Sequence, residues 1–256
     1  MDSQIAIDSP NEKAKTADAV DLFHGEDSQS RTLEALADAS AYNDWMFSVF
    51  ECFIGNRVLE IGCGTGNLTR HLLEKANEVT AIDIHAEYLT LLSRTVQVPD
   101  GHTLSVRKQN FLEDMNNLAA YDTVVLINVL EHLPDPIDAL RRIHQTLISG
   151  GRVVVLVPAL EFLQSRFDEL IGHYRRYTRK SLARELTSAE FVIKKNAYFN
   201  LLGIAGWWWR FRFLKREYFT RRAVRSFETV APLLRAIESL IPPPVGLSVI
   251  AVGEKL

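Results

Sequence analysis

Residues 58–66 read Val58-Leu59-Glu60-Ile61-Gly62-Cys63-Gly64-Thr65-Gly66. An apolar run carrying one acid, Glu60, passes straight into Gly62-x-Gly64-x-Gly66, and beyond it Leu68, Leu72 and Leu73 recur at helical spacing. The pattern predicts a buried strand, a glycine turn and a helix start, where backbone without Cβ atoms approaches a ligand closely. About twenty residues on, a second apolar run, Val79-Thr80-Ala81-Ile82, ends on Asp83. A carboxylate at the tip of the second strand of such a unit is placed to accept hydrogen bonds from a ribose diol.

The glycine spacing separates two ligand classes. A dinucleotide fold needs Gly-x-Gly-x-x-Gly, whose last glycine lets the helix approach strand and pyrophosphate. Here that position is Asn67 and the glycines run Gly-x-Gly-x-Gly. An acid two residues ahead of the first glycine also suits an amino-bearing ligand better than a pyrophosphate. With this motif the chain resembles the class I S-adenosylmethionine-dependent methyltransferases, whose first motif is an apolar strand, an acid and Gly-x-Gly-x-Gly. The resemblance implies an α/β fold: a Rossmann-like seven-stranded methyltransferase sheet whose last strand is inserted antiparallel beside the sixth. It also implies S-adenosylmethionine as cofactor.

The bulk numbers bound the rest. With 256 residues and 47% hydrophobic composition, one large domain plus an appendage is expected. A net charge of −3 argues against a surface built for nucleic acid. Cys52 and Cys63 make no zinc-type pairing, no metal-ligand constellation stands out, and a reduced cytoplasmic chain is the plain reading. Residues 1–30 read as a disordered acidic leader, with Asp2, Asp8, Glu12, Asp18, Asp21, Glu26 and Asp27 among small polar residues. The apolar patch Leu201 to Trp209 is too short to span a bilayer.

Two helices are expected ahead of the first strand, one around Leu33, Leu36 and Ala37 and one around Trp45, Phe47, Val49 and Phe50. Strand-like runs follow at 57–61, 78–83, 103–107, 122–127 and 152–157, separated by helical segments from Leu68 to Ala76, Ala86 to Thr95 and Ile137 to Leu147. The alternation predicts a parallel sheet covered on both faces. Ser149-Gly150-Gly151 marks a helix-to-strand break. A helix from Ser181 to Leu186, a short strand at 191–193 and a last strand at 246–252 complete the pattern. The S-adenosylmethionine-binding methyltransferase domain is thus expected over 31–197 plus 246–256, and 198–245 form a helical insertion or lid between the last two strands.

Site residues follow from the resemblance, position by position. Gly62, Gly64 and Gly66 would pass against the methionine part of the cofactor, Glu60 would meet its amino group, Asp83 the ribose hydroxyls, and Ile84 an adenine face. The family's acid after the third strand is replaced by Asn110, whose amide oxygen still accepts a hydrogen bond, with Phe111 adding apolar contact. Asn128 would lie beside the sulfonium, in Asn128-Val129-Leu130-Glu131-His132-Leu133-Pro134 after the fourth strand.

Methyl transfer is an in-line displacement, so the enzyme mostly positions the nucleophile and removes water from it; a hydroxyl acceptor also needs a base. His132 is the first candidate because imidazole titrates near neutrality. The second is the cluster Gly172-His173-Tyr174-Arg175-Arg176-Tyr177-Thr178, where His173 could act as base, Tyr174 could stack or donate, and Arg175 or Arg176 could hold an anionic group. Tyr42 and Trp207 are further substrate-binding candidates. The insertion's Trp207-Trp208-Trp209-Arg210-Phe211-Arg212-Phe213-Leu214-Lys215-Arg216 interleaves aromatic and basic residues, a composition suited to a membrane interface or to a lid over an amphiphilic substrate. The leading expectation is therefore a small-molecule methyltransferase with a lipid-linked or amphiphilic acceptor and peripheral membrane contact. RNA or protein methylation on the basic-aromatic platform and a non-catalytic membrane-bound module are the alternatives. Oligomeric state stays open.

Overall fold

The computed structural model describes residues 39–113, 120–216, 218 and 220–256. The expected acidic leader and the helix around Leu33 to Ala37 lie outside these residues. Helix α1 (Ser40–Ser48) leads into strand β1 (Arg57–Ile61), then α2 (Thr69–Leu73), β2 (Glu78–Asp83), α3 (Ala86–Thr95), β3 (Thr103–Lys108), β4 (Tyr121–Ile127), α4 (Pro136–Thr146) and β5 (Leu147–Pro158). Helices α5 (Arg166–Leu170) and α6 (Arg179–Ser188) precede β6 (Val192–Phe199). Helix α7 (Gly203–Trp207), a π-helical turn (Trp208–Phe213) and α8 (Arg221–Leu240) stand before β7 (Ser248–Glu254).

The seven strands form one sheet in the order β3-β2-β1-β4-β5-β7-β6. β7 pairs antiparallel with both β5 and β6, and the other pairings are parallel. This is the mixed Rossmann-like sheet that the resemblance implied. Strand order reverses between β1 and β4, so the loops after these two strands flank the crevice where open α/β sheets bind ligands.

The middles of the central strands are near-continuous apolar runs because both faces are covered, with Glu60 of β1 the acid among them. In β4, Val124 and Leu126 face one core with Leu140 and Ile143 of α4 and Leu182 and Leu186 of α6. Val125 faces the other, with Trp45, Leu72, Leu92 and Leu234. Asp135 caps α4 by accepting the Asp138 N–H at 3.0 Å, with Pro136 opening the helix.

Two boundaries differ from expectation. Ser149-Gly150-Gly151 does not separate helix from strand: α4 ends at Thr146 and β5 begins at once, with Gly150 at φ 76° inside a shift of register between Tyr121 and Thr123. The glycines mark a bulge, not a break. β6 runs to Phe199, longer than its apolar run suggested, because Lys194, Lys195 and Asn196 sit on an edge strand where polar side chains are tolerated.

The segment between β6 and β7 is tied down by two carboxylates of α8. Glu228 accepts the backbone N–H groups of Ala41 and Tyr42 at 2.7 and 3.0 Å, placing an anion on the N-terminus of α1. Glu238 accepts those of Asn200 and Leu201 at 3.0 and 2.7 Å, just past β6. Helix α8 is thereby held across the carboxyl ends of the strands. Among the described residues no helix is long and apolar enough to cross a membrane.

Candidate active site

The loop after β1 carries Gly62, Gly64 and Gly66 at φ 72°, 52° and 86°. All three occupy the left-handed region that side chains disfavour. A Cβ on Gly62 would stand 2.4 Å from Val129 Cγ2, and one on Gly66 2.7 Å from Leu92 Cγ and Val96 Cγ2. The glycine loop is thus pressed against both the loop after β4 and helix α3. Asp83 holds it there: Oδ2 accepts the Gly64 N–H and Oδ1 the His85 N–H, each at 2.9 Å.

Glu60 is buried beneath this loop, and Thr69 Oγ1 donates to its Oε2 at 2.6 Å. Burial pushes its carboxyl up to about 8; the Thr69 hydrogen bond opposes that shift and the Asp83 charge adds to it. A buried acid short of a counter-charge, under a loop of bare backbone, fits the ammonium and carboxylate end of S-adenosylmethionine. Ile84 stands half-exposed past β2, open to an adenine face.

Two of the expected adenine contacts are otherwise engaged. Asn110 Oδ1 accepts the Leu112 N–H at 3.1 Å and its Nδ2 donates to Glu113 at 2.8 Å, so the side chain closes its own turn. Phe111 is buried in the core with Ile61 and Ile82 and presents no ring to the crevice.

Asn128, at φ 54°, marks the junction with a second space. A cavity of about 380 Å³ opens from it, floored by Pro158, Leu247 and Ser248 at strand ends and roofed by Gly203, Trp207, Val224 and Phe227. Tyr42, His132, His173 and Arg176 line it too. The Tyr42 ring meets Trp45, Phe199 and Phe227. Its burial, with the Glu238 charge, pushes the phenol up to about 12, which leaves it a packing group, not a base.

The polar wall of this cavity centres on Asp168, which sequence reading did not single out. Ser165 donates to its Oδ2 from both N and Oγ at 2.8 Å. Its Oδ1 pairs with His173 Nδ1 at 3.0 Å and accepts from Arg176 Nε at 2.9 Å. Arg176 also donates from Nη1 to the Ala159 carbonyl at 3.0 Å and lies 4.4 Å from the Trp207 ring centroid. Burial raises the Asp168 carboxyl, but the His173 hydrogen bond and the Arg176 charge outweigh it and hold the group below its ordinary value. Arg176 is thus a buried ion-pair partner fixing the wall, not an open anion ligand.

His132 and His173 meet edge to face with centroids 4.6 Å apart. Burial, then the neighbouring His173, lowers His132 to about 4, so it is neutral and weakly basic near pH 7. Glu131 is fully buried 3.7 Å from His173 Nε2, and burial pushes it up to about 7 against the pull of His173.

Two residues of the expected cluster are elsewhere. Tyr174 is 53% exposed and does not line the cavity. Arg175 donates to the Pro134 carbonyl at 3.0 Å and packs on the Tyr174 ring. His173 and Arg176, three residues apart, line the cavity, while Tyr174 and Arg175 between them do not. The signal that could have found Asp168 is the Ser165-x-x-Asp168 helix-start pattern just ahead of the cluster.

Comparison with known proteins gives the family and the fold. A family model described as a methyltransferase domain matches residues 18–196. The ubiquinone biosynthesis O-methyltransferase of Aeromonas salmonicida (strain A449) is 33% identical over 113 residues, 44% of this chain and 47% of that protein. Its counterpart in Xanthomonas campestris pv. campestris (strain B100) is 29% identical over 160 residues, 55% of this chain and 64% of that protein. The chain spans about half the length of the curated relatives it matches. Among solved structures, a Haloferax volcanii methyltransferase in complex with the Trm112 activator aligns at TM-score 0.64 and 17% identity over 91% of this chain and 96% of that one. The plantazolicin methyltransferase BpumL, solved with S-adenosylhomocysteine, aligns at 0.58 and 13% over 92% and 93%. Both share the fold.

Proposed function

The chain belongs to the methyltransferase-domain family, and on that premise we propose that it methylates a hydroxyl of an amphiphilic small molecule seated under α7 and α8. The observation that carries this reading is the cavity itself: an apolar chamber beginning at Asn128, with a buried histidine–carboxylate cluster on one wall. An oxygen acceptor agrees with the O-methyltransferase names of the curated relatives.

S-adenosylmethionine supplies an electrophilic methyl group on a sulfonium when bound. Glu60 would meet its ammonium, the glycine loop its carboxylate end, and Asp83, besides pinning Gly64, the ribose hydroxyls. The apolar roof strips water from the acceptor, and Asn128 borders the place where the two ligands meet. The acceptor's proton would leave toward His173, whose Nδ1 is fixed by Asp168. His173→Ala should lower turnover by about 10²–10⁴-fold while leaving affinity for S-adenosylhomocysteine within twofold. Radiolabelled methyl transfer and calorimetry read the two quantities. Turnover unchanged in this variant would remove the cluster from the reaction.

The acceptor we propose is lipid-linked, delivered at a membrane surface. Trp208, Trp209 and Phe213 stand 45%, 54% and 57% exposed on the π-helical turn that forms the outer side of the roof. Arg212, Lys215 and Arg216 are interleaved with them and also exposed, an arrangement that places aromatic rings at headgroup depth and cations on anionic lipid. Phosphatidylglycerol vesicles should sediment the chain, and Trp208→Ser/Trp209→Ser should abolish that. Equal sedimentation of both proteins would remove this face from any membrane contact.

A further inference from the structure

We propose that Glu131, His132 and His173 form a binding site for a divalent transition-metal ion of the zinc class in the wall of the acceptor cavity. One donor atom from each residue lies within 4.8 Å of the other two. Neither Glu131 oxygen accepts a hydrogen bond among the described residues, although the side chain is wholly buried. A carboxylate in that position costs stability unless a cation or donor meets it. His173 Nε2 stands 3.7 Å from Glu131 Oε1, and the His132 ring stands edge-on to His173.

The chemistry of the donor set is specific. Two imidazoles and one carboxylate are a recurring ligand set for catalytic zinc and non-haem iron, leaving positions open for a substrate oxygen. Metal-binding imidazoles are held through their second nitrogen, and here Asp168 takes Nδ1 of His173 and leaves Nε2 toward Glu131. Donors about 2.1 Å from a tetrahedral ion stand about 3.4 Å apart, so binding draws the three groups together by about an ångström. Adjacent Glu131 and His132 with a distant His173 match none of the usual ligand spacings, which is why the sequence alone showed no constellation.

Both histidines line the cavity, so the open positions face the acceptor. There the ion would hold the acceptor oxygen and favour its ionised form; because it would occupy the one free nitrogen of His173, the proton would then pass to water and not to that ring. That role rests on the methyl-transfer reading; the existence of the site does not.

The test uses the full chain stripped by chelator and titrated with Co²⁺, followed by visible absorption, then with Zn²⁺ in competition. One Co²⁺ per chain with d–d bands, displaced by Zn²⁺, is expected. Glu131→Gln, which keeps the side-chain shape, and His173→Ala should each weaken Co²⁺ at least a hundredfold. His102→Ala, in the loop before β3, should change nothing. S-adenosylhomocysteine titration of each variant verifies the fold. Substoichiometric binding, or binding indifferent to Glu131→Gln, overturns the site. Co²⁺ failure with intact S-adenosylhomocysteine binding sinks the ion alone, whereas loss of S-adenosylhomocysteine binding by the unaltered chain sinks the methyl-transfer reading.

Discussion

Asp168→Ala should shift the denaturant midpoint down by the equivalent of about 3–5 kcal/mol at unchanged m-value. The reason is Arg176, whose side chain is fully buried with Nη2 2.7 Å from Asp168 Oδ1. Removing the carboxylate leaves a guanidinium out of water with its main counter-charge gone, the costly way to break a buried pair. Replacing both partners by apolar groups is far milder. Arg176→Met added to Asp168→Ala should therefore recover most of the loss. A double variant no more stable than the single would locate the cost elsewhere, in the Ser165 hydrogen bonds to the same carboxylate. The pH response has a definite sign. The folded chain holds Asp168 below its ordinary value of 3.8, so its stabilising contribution is full above that value and is lost as pH falls through the folded one. Asp168→Ala should lack this acid-sensitive component. Turnover should fall with stability, since His173 loses the group that fixes its ring.

This network also marks the limit of what the chain discloses one residue at a time. The sheet is legible because β1, β4 and β5 are buried on both faces, which forces near-continuous apolar runs, and because Gly62, Gly64 and Gly66 sit where only glycine is comfortable. Glu60 and Asp83 are readable from their fixed offsets to that loop. Tertiary pairing has no such period. Asp168 belongs to a five-residue helix whose residues carry no repeat, and its partners His173 and Arg176 reach it only because the chain folds back between α5 and α6. The polar cluster after Gly172 signals chemistry but not direction, so Tyr174 and Arg175 read as site residues like their neighbours although they do not line the cavity. Asn110 shows why a local reading stays open: an asparagine after a strand closes its own turn, as here, as readily as it meets a ligand.

Cofactor affinity should rise with pH by roughly fifty-fold between pH 6 and 8, and Glu60→Gln should abolish that rise. Glu60 titrates at about 8 in the unliganded chain, where Asp83 and Cys63 are its near titratable neighbours and Thr69 its hydrogen-bond donor. If the ammonium of the cofactor binds only the ionised form, the competent fraction is roughly one in a hundred at pH 6 and about half at pH 8. Binding at pH 7 must then release close to one proton, which appears as a calorimetric enthalpy that varies with the ionisation enthalpy of the buffer. Unliganded stability should run the other way. A carboxyl raised from 4.5 stabilises fully below that value, and the contribution is lost as pH rises through about 8. Glu131, raised to about 7, adds a slope of the same sign, so Glu60→Gln should flatten only part of the stability profile while removing all of the binding one. Saturating S-adenosylhomocysteine should restore at pH 8 what the unliganded chain has lost, because the ammonium supplies the counter-charge that burial denies to Glu60. A titration with S-adenosylhomocysteine that is independent of pH and of buffer would show that the cofactor's amino group does not meet Glu60, and would hand that role to the glycine-loop backbone.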